Sequence, residues 1–171
     1  MQKKIFITNG MACSGKDTFA KILNKYVSTL KISSVDKIKN VAEYCGWNGE
    51  KDEKSRKLLS DLKMLLTEYN DLPFKTIADS VYHFRRGTLH NVLLIDIREP
   101  AEIERAKKEF GASTILIRRN SCRNITSNPA DAGVFDYNYD YIIDNNGTLD
   151  DFEGQIIKFG LDVGIIGGEN E

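Results

Sequence analysis

Gly10-Met11-Ala12-Cys13-Ser14-Gly15-Lys16-Asp17-Thr18 is the stretch that decides the fold. Before it runs Lys4-Ile5-Phe6-Ile7-Thr8, a short apolar segment that reads as a buried strand. After it, from Thr18 to Val27, apolar residues recur at helical spacing. Strand, glycine-bounded turn and helix form the setting of a phosphate-binding loop. Gly10 and Gly15 have no Cβ, so the backbone can wrap closely round an anion. Successive N–H groups then face inward as a nest, and the helix start adds donors and a positive dipole end. Lys16 supplies a mobile point charge for terminal phosphates. Gly10, Cys13, Ser14, Gly15, Lys16, Asp17 and Thr18 are therefore the candidate phosphate contacts.

The residue after the lysine is normally Ser or Thr, whose hydroxyl binds Mg²⁺. Here it is Asp17, followed by Thr18. A carboxylate is an acceptable hard-oxygen ligand for Mg²⁺, and it makes phosphate binding depend more on the metal. The plainer reading of Asp17 is an acid in the first turn of a helix.

The chain has 171 residues, with 24 Lys and Arg against 25 Asp and Glu and a net charge of −1. That length suits one domain spanning residues 1–171 with a substantial core. Balanced charge argues against a nucleic-acid or anionic-membrane partner, and no apolar run is long enough to span a bilayer. Cys13, Cys45 and Cys122 are widely spaced and show no metal-binding pattern, so reduced thiols in a cytoplasmic protein are expected. The first residues enter a strand almost at once, so no cleavable signal is expected there.

Further along, strands are expected at residues 30–36, 91–98, 113–119 and 139–143. Helices are expected at about 36–44, 51–69, 74–84, 99–110 and 149–159, the last with a Thr148/Asp151 capping box. The glycine-rich tail from Gly164 is expected to fray. Strands alternating with helices argue an α/β fold, a parallel sheet with helices on both faces. Ligands in such sheets bind at the C-terminal strand ends, where Lys16, Asp17, Asp36, Asp96, Arg98, Arg118 and Arg119 collect.

Asp96 ends an apolar strand and is a candidate Mg²⁺ ligand beside Asp17; its plainer role is to cap the next helix. Arg98, two residues on, is expected on the same side of the strand, to grip a second phosphate or to pair with Glu99 or Glu102. Arg118, Arg119 and Arg123 flank a polar loop and are candidates for neutralising charge during phosphoryl transfer. The segment 36–87 is far longer than a crossover requires and reads as a ligand-binding helical insert, with Trp47 its best aromatic candidate.

Several short motifs together resemble the P-loop nucleotide monophosphate kinases, most closely the phage and bacterial deoxynucleoside monophosphate kinases. They are Gly15-Lys16-Asp17-Thr18, Val35-Asp36-Lys37-Ile38-Lys39, Arg56-Lys57-Leu58-Leu59, Asp96-Ile97-Arg98 and Tyr141-Ile142-Ile143-Asp144-Asn145-Asn146-Gly147. The resemblance implies a three-layer P-loop NTPase fold: a five-stranded parallel sheet in order 2-3-1-4-5, a helical insert and a short lid at 119–133. It implies transfer of the ATP γ-phosphoryl group, with Mg²⁺, to a nucleoside monophosphate. Lys16 and Thr18 would hold donor phosphates, and Asp17 and Asp96 would sit at the metal. Asp36, Lys39, Arg56 and Arg98 would address the acceptor, and Arg118, Arg119 or Arg123 would act from the lid. The partners implied are ATP and a small phosphorylated acceptor, for a monomer or homodimer. Lys37 stands where the family has proline. A dephospho-coenzyme A- or phosphomevalonate-kinase-like acceptor therefore stays open, as does a non-catalytic nucleotide-binding regulatory protein. A GTPase reading lacks the Asn-Lys-x-Asp motif that reads the base.

Overall fold

A computed structural model of the chain describes residues 3–50, 52–122 and 133–167. Its elements alternate as the sequence leads one to expect. They are β1 (Lys4–Asn9), α1 (Lys16–Tyr26), β2 (Thr29–Ser33), α2 (Asp36–Tyr44), α3 (Glu53–Asn70) and α4 (Leu72–Arg86), followed by β3 (Val92–Asp96), α5 (Pro100–Phe110), β4 (Ser113–Arg118), β5 (Tyr141–Asp144) and α6 (Leu149–Asp162). The five strands form one sheet in the order β2-β3-β1-β4-β5. The β1–β3, β1–β4 and β4–β5 pairs are all parallel. The α/β fold with the P-loop NTPase strand order is thus the architecture of this chain.

Parallel strands covered on both faces are apolar throughout, and β3 shows it: Val92 to Ile95 are fully buried. Alternate residues serve opposite faces. Phe6, Val92, Leu94, Ile115, Ile117 and Ile143 join Phe19 and Leu23 of α1 and Phe152, Ile156 and Phe159 of α6 in one cluster. Ile5, Ile7, Leu93, Ile95 and Leu116, their buried neighbours in the chain, are turned the other way. α5 meets β1 and β4, with Ile103, Ala106 and Phe110 buried. Pro100 opens that helix, where its missing N–H costs nothing, and Gly111 closes it.

The chain divides into two compact units, one of residues 1–31 with 87–171, the other Ile32–Arg86. In the second unit α2, α3 and α4 pack on one another. Asp52 caps α3, accepting a hydrogen bond from Ser55 N at 2.7 Å. Asp71, in the left-handed conformation, ends it, and α4 starts at the next residue. Ile77, Val81 and Phe84 form the buried stripe of α4, as their spacing predicts.

Several boundaries differ from the sequence reading, and two of these differences change where a side chain lies. β3 ends at Asp96, so Arg98 lies two residues beyond it and strand alternation no longer fixes its side. The tail does not fray at once. α6 runs on to Asp162, and Ile165 is 1% exposed within the α1–α6 cluster. Gly160 O accepts from Ile165 N at 2.9 Å and Ile166 N at 3.0 Å, which folds the tail back onto the helix. Thr148 and Asp151 form the capping box at the other end of α6. Burying Ile165 makes it a stability element: Ile165→Ala should lower the unfolding free energy by about 2–4 kcal/mol. Urea denaturation measures this, and an unchanged midpoint would take Ile165 out of the core.

Candidate functional site

The loop between β1 and α1 has the backbone its glycines allow. Gly10 has φ 149° and Gly15 φ 106°, and Cys13 sits at φ 61° without being glycine. A Cβ on Gly10 would lie 2.4 Å from Ile117 O, and one on Gly15 would lie 2.4 Å from Asn145 Nδ2. The first contact is with backbone and leaves no room for a side chain at Gly10; the second would push aside the amide that Asn145 uses to hold Ser14 O. The loop is pinned from beneath as well. Met11 is buried against Leu116, Cys122 and Val134, with Tyr139 packed alongside. Asn9 Oδ1 accepts from Gly10 N at 2.8 Å, and its Nδ2 donates to Tyr139 Oη at 2.8 Å and Arg98 O at 3.3 Å. Burial pushes the Tyr139 phenol up to about 12 despite the Asn9 hydrogen bond, so it keeps its proton at neutral pH. Asn145 Nδ2 donates to Ser14 O at 2.9 Å and ties the loop to the end of β5.

No side chain caps α1, whose N-cap is Gly15. A helix start built this way offers its backbone donors to an anion. Ser14 Oγ is buried and has no hydrogen-bond partner among the described residues, so it too can serve a group seated in the loop. Lys16 Nζ folds onto the loop, donating to Gly10 O at 2.6 Å and Met11 O at 3.0 Å. Thr18, in the first turn of α1, is half-buried, and Cys13 is exposed. All three cysteines are free thiols.

Strand register sets Asp96 beside Thr8, and a lysine links it to Asp17 of α1. Thr8 on β1 pairs with Asp96 on β3, and Thr8 Oγ1 donates to Asp96 Oδ1. Lys31 on β2 reaches Asp96 Oδ2 at 2.9 Å and also bonds Asp17 Oδ1. One ammonium therefore bridges the two acids that the sequence offered as metal ligands. Exposure ranks the three side chains: Asp96 at 18% and Lys31 at 25% are sheltered, while Asp17 at 86% reaches in from solvent. Burial works against the Lys31 charge, but Asp96 and Asp17 outweigh it and hold the amine above its ordinary value. Lys31 carries no motif; it is one charge in the strand Thr29-Leu30-Lys31-Ile32-Ser33, and only the sheet order places it beside β3.

The donor set suits Mg²⁺ bound together with a nucleotide. Asp17 and Asp96 already share a cation, in the form of the Lys31 ammonium. Mg²⁺ typically takes one or two carboxylates plus phosphate oxygens and water. Among the described residues no group of three or more His, Cys, Asp or Glu could hold a metal unaided.

The arginines separate. Arg118 pairs with Asp144 across β4 and β5, which the register sets opposite each other. The pair is a fork, Nε to Oδ1 at 2.5 Å and Nη2 to Oδ2 at 2.7 Å. Arg119 is exposed just past β4, and its carbonyl accepts from Cys122 N at 3.1 Å. Arg123 lies outside the described residues, as do positions 123–132 of the expected lid. Arg98 is half-buried beyond β3. In the other unit Asp36 opens α2, accepting from Ser33 N at 2.7 Å and facing Lys39 Nζ at 3.5 Å. Arg56 is exposed on the first turn of α3. Trp47 is half-buried and donates Nε1–H to Glu50 O at 3.1 Å within its own turn.

Among solved structures, the chain is similar to a dephospho-CoA kinase from Campylobacter jejuni, at 19% identity and a TM-score of 0.52, over 97% of this chain and 99% of that one. A thymidylate kinase from Candida albicans gives 15% and 0.52, over 99% and 96%. A tunicamycin resistance protein from Deinococcus radiodurans gives 13% and 0.55, over 95% and 98%. At these identities what is shared is the fold. No protein-family model matches the sequence, and no curated protein matches it. Among the described residues no helix is long and apolar enough to cross a membrane.

The Arg118–Asp144 fork also sets an acid limit. The Arg118 hydrogen bond holds the Asp144 carboxyl below its ordinary value. A carboxylate lowered in the folded state stabilises above its unfolded pKa, and that contribution is lost as pH falls through the folded value. The stability gap between the natural chain and Asp144→Asn should therefore be widest near neutrality and close as pH drops below about 4. Chemical denaturation across pH measures it; a gap independent of pH would remove the fork from the stability account.

Proposed function

We propose that the chain is a small-molecule kinase that moves the γ-phosphoryl group of Mg·ATP to a phosphorylated acceptor, with a nucleoside monophosphate as the first candidate. One observation carries this: a glycine-bounded loop opening into a helix start that no side chain caps lies beside the point where Asp17 and Asp96 converge on one cation position. An anion cradle alone would suit any phosphate. Paired acids beside it suit a phosphate that arrives with a divalent metal.

In this reading Lys16 leaves its loop carbonyls for the β- and γ-phosphates, and the N-terminal turn of α1, with the Thr18 hydroxyl, holds the donor. Asp17 and Asp96 would hold Mg²⁺, which when bound would supply neutralising charge to the phosphate oxygens. Asp36, Lys39, Arg56 and Arg98 are the acceptor contacts. Arg119 and Arg123 neutralise charge at the transferring group, while Arg118, forked to Asp144, orients the chain beyond β4. No side chain needs to form a covalent intermediate, because positioning and electrostatics carry phosphoryl transfer. The fold shared with a dephospho-CoA kinase and a thymidylate kinase makes dephospho-CoA and thymidylate necessary members of any acceptor panel.

A coupled assay of ADP release from Mg·ATP, run across nucleoside monophosphates and dephospho-CoA, tests the reading. Turnover with at least one acceptor is expected, and no acceptor-dependent ADP would reject it. Lys16→Ala should cut that turnover by at least about a hundredfold, the scale of losing a charged donor from a transition state. A variant with full activity would take Lys16 out of the site.

A further inference from the structure

Lys31 marks the cation position of the reading above, yet that reading gives it no role of its own. It is the only basic side chain recorded in an ion pair with both Asp17 and Asp96 among the described residues. We propose that Lys31 is the resident counter-ion of the donor site, and that it makes metal entry depend on nucleotide. The proposal rests on the kinase reading for the identity of the site.

The argument is electrostatic. Two carboxylates drawn to one point repel each other unless a cation lies between them, and Lys31 is that cation. A bare divalent ion seeking the same oxygens must displace the ammonium. Lys31 is 25% exposed and Asp96 18%, so the displaced charge is left sheltered from water beside a metal of like sign. That cost opposes binding of metal alone. A metal carried by a nucleotide brings phosphate oxygens with it, and these give the displaced ammonium a new partner. The unfavourable term then falls away. Lys31 should thus create positive coupling between metal and nucleotide, and such coupling is reciprocal by linkage. Thr8 holds the other oxygen of Asp96, so that carboxylate keeps its place while its cation changes.

The test measures Mn²⁺ binding, by titration calorimetry or electron spin resonance, with and without ADP. It compares the natural chain with Lys31→Met and Lys31→Arg. In the natural chain Mn²⁺ should bind weakly alone and far more tightly with ADP. In Lys31→Met, Mn²⁺ alone should bind about five- to tenfold more tightly, and the factor by which ADP improves it should shrink by a similar amount, within the usual range of coupling energies. Lys31→Arg should keep the natural pattern. Equal Mn²⁺ affinity without ADP in the natural chain and Lys31→Met would overturn the proposal. If Lys31→Met does not fold, Lys31→Gln, uncharged but able to bond both carboxylates, replaces it with the same expected result. A natural chain that binds no ADP would reject the kinase reading instead, while the comparison with Mn²⁺ alone still decides the role of Lys31.

Discussion

The site depends on a close approach of backbone to backbone. At Gly10 the chain passes so near Ile117 O that no Cβ fits, while at Gly15 a Cβ would meet the side-chain amide of Asn145. The loop that would cradle a phosphate is therefore wedged between the end of β4 and the turn after β5. Met11 anchors it from within the core, and Asn9 and Asn145 hold its two ends by hydrogen bonds. A nest of N–H groups binds an anion well only when already in place, since ordering a flexible loop on binding would cost conformational entropy. The surroundings of the loop contribute that order.

Parallel register then distributes the charges. Thr8 opposite Asp96 and Arg118 opposite Asp144 are consequences of the same pairing rule, acting on neighbouring strands. On the β2–β3–β1 side the sheet places Asp96 and Lys31 together, and Asp17 joins them from α1. On the β4–β5 side it locks Arg118 to Asp144. The same kinds of residue thus acquire different roles. Asp96 shares its cation, Lys31, with Asp17, whereas Asp144 commits its charge to a two-pronged pair with Arg118.

Much of this was legible in the residues. The apolar runs of β1, β3 and β4, the helical stripe of α4, the capping box of α6 and the glycine-lysine loop each carry a local physical signature. The α/β alternation follows from their order. The loop acids were legible as candidates because Asp17 adjoins Lys16 and Asp96 ends a buried strand. Less legible were the places where two distant segments meet. The alternation that would have set Arg98 beside Asp96 stops when β3 ends at Asp96. The tail after Gly164 has a fraying composition, yet Gly160 O and a hydrophobic cluster hold Ile165. Tyr139 and Met11 looked ordinary until both packed under the loop.

By itself, then, the sequence determined the elements, the class of fold and the glycine-bounded loop, because each is written in short-range spacing: period two, period 3.6, or glycines at fixed offsets. Tertiary structure alone decided which charges face one another. Lys31 lies 14 residues from Asp17 and 65 from Asp96, and no local pattern marks it. It becomes the shared cation only because β2 takes its place beside β3 in the sheet. Electrostatic partnership is a matter of distance in space, and the strand order, rather than the chain's own periodicities, sets that distance.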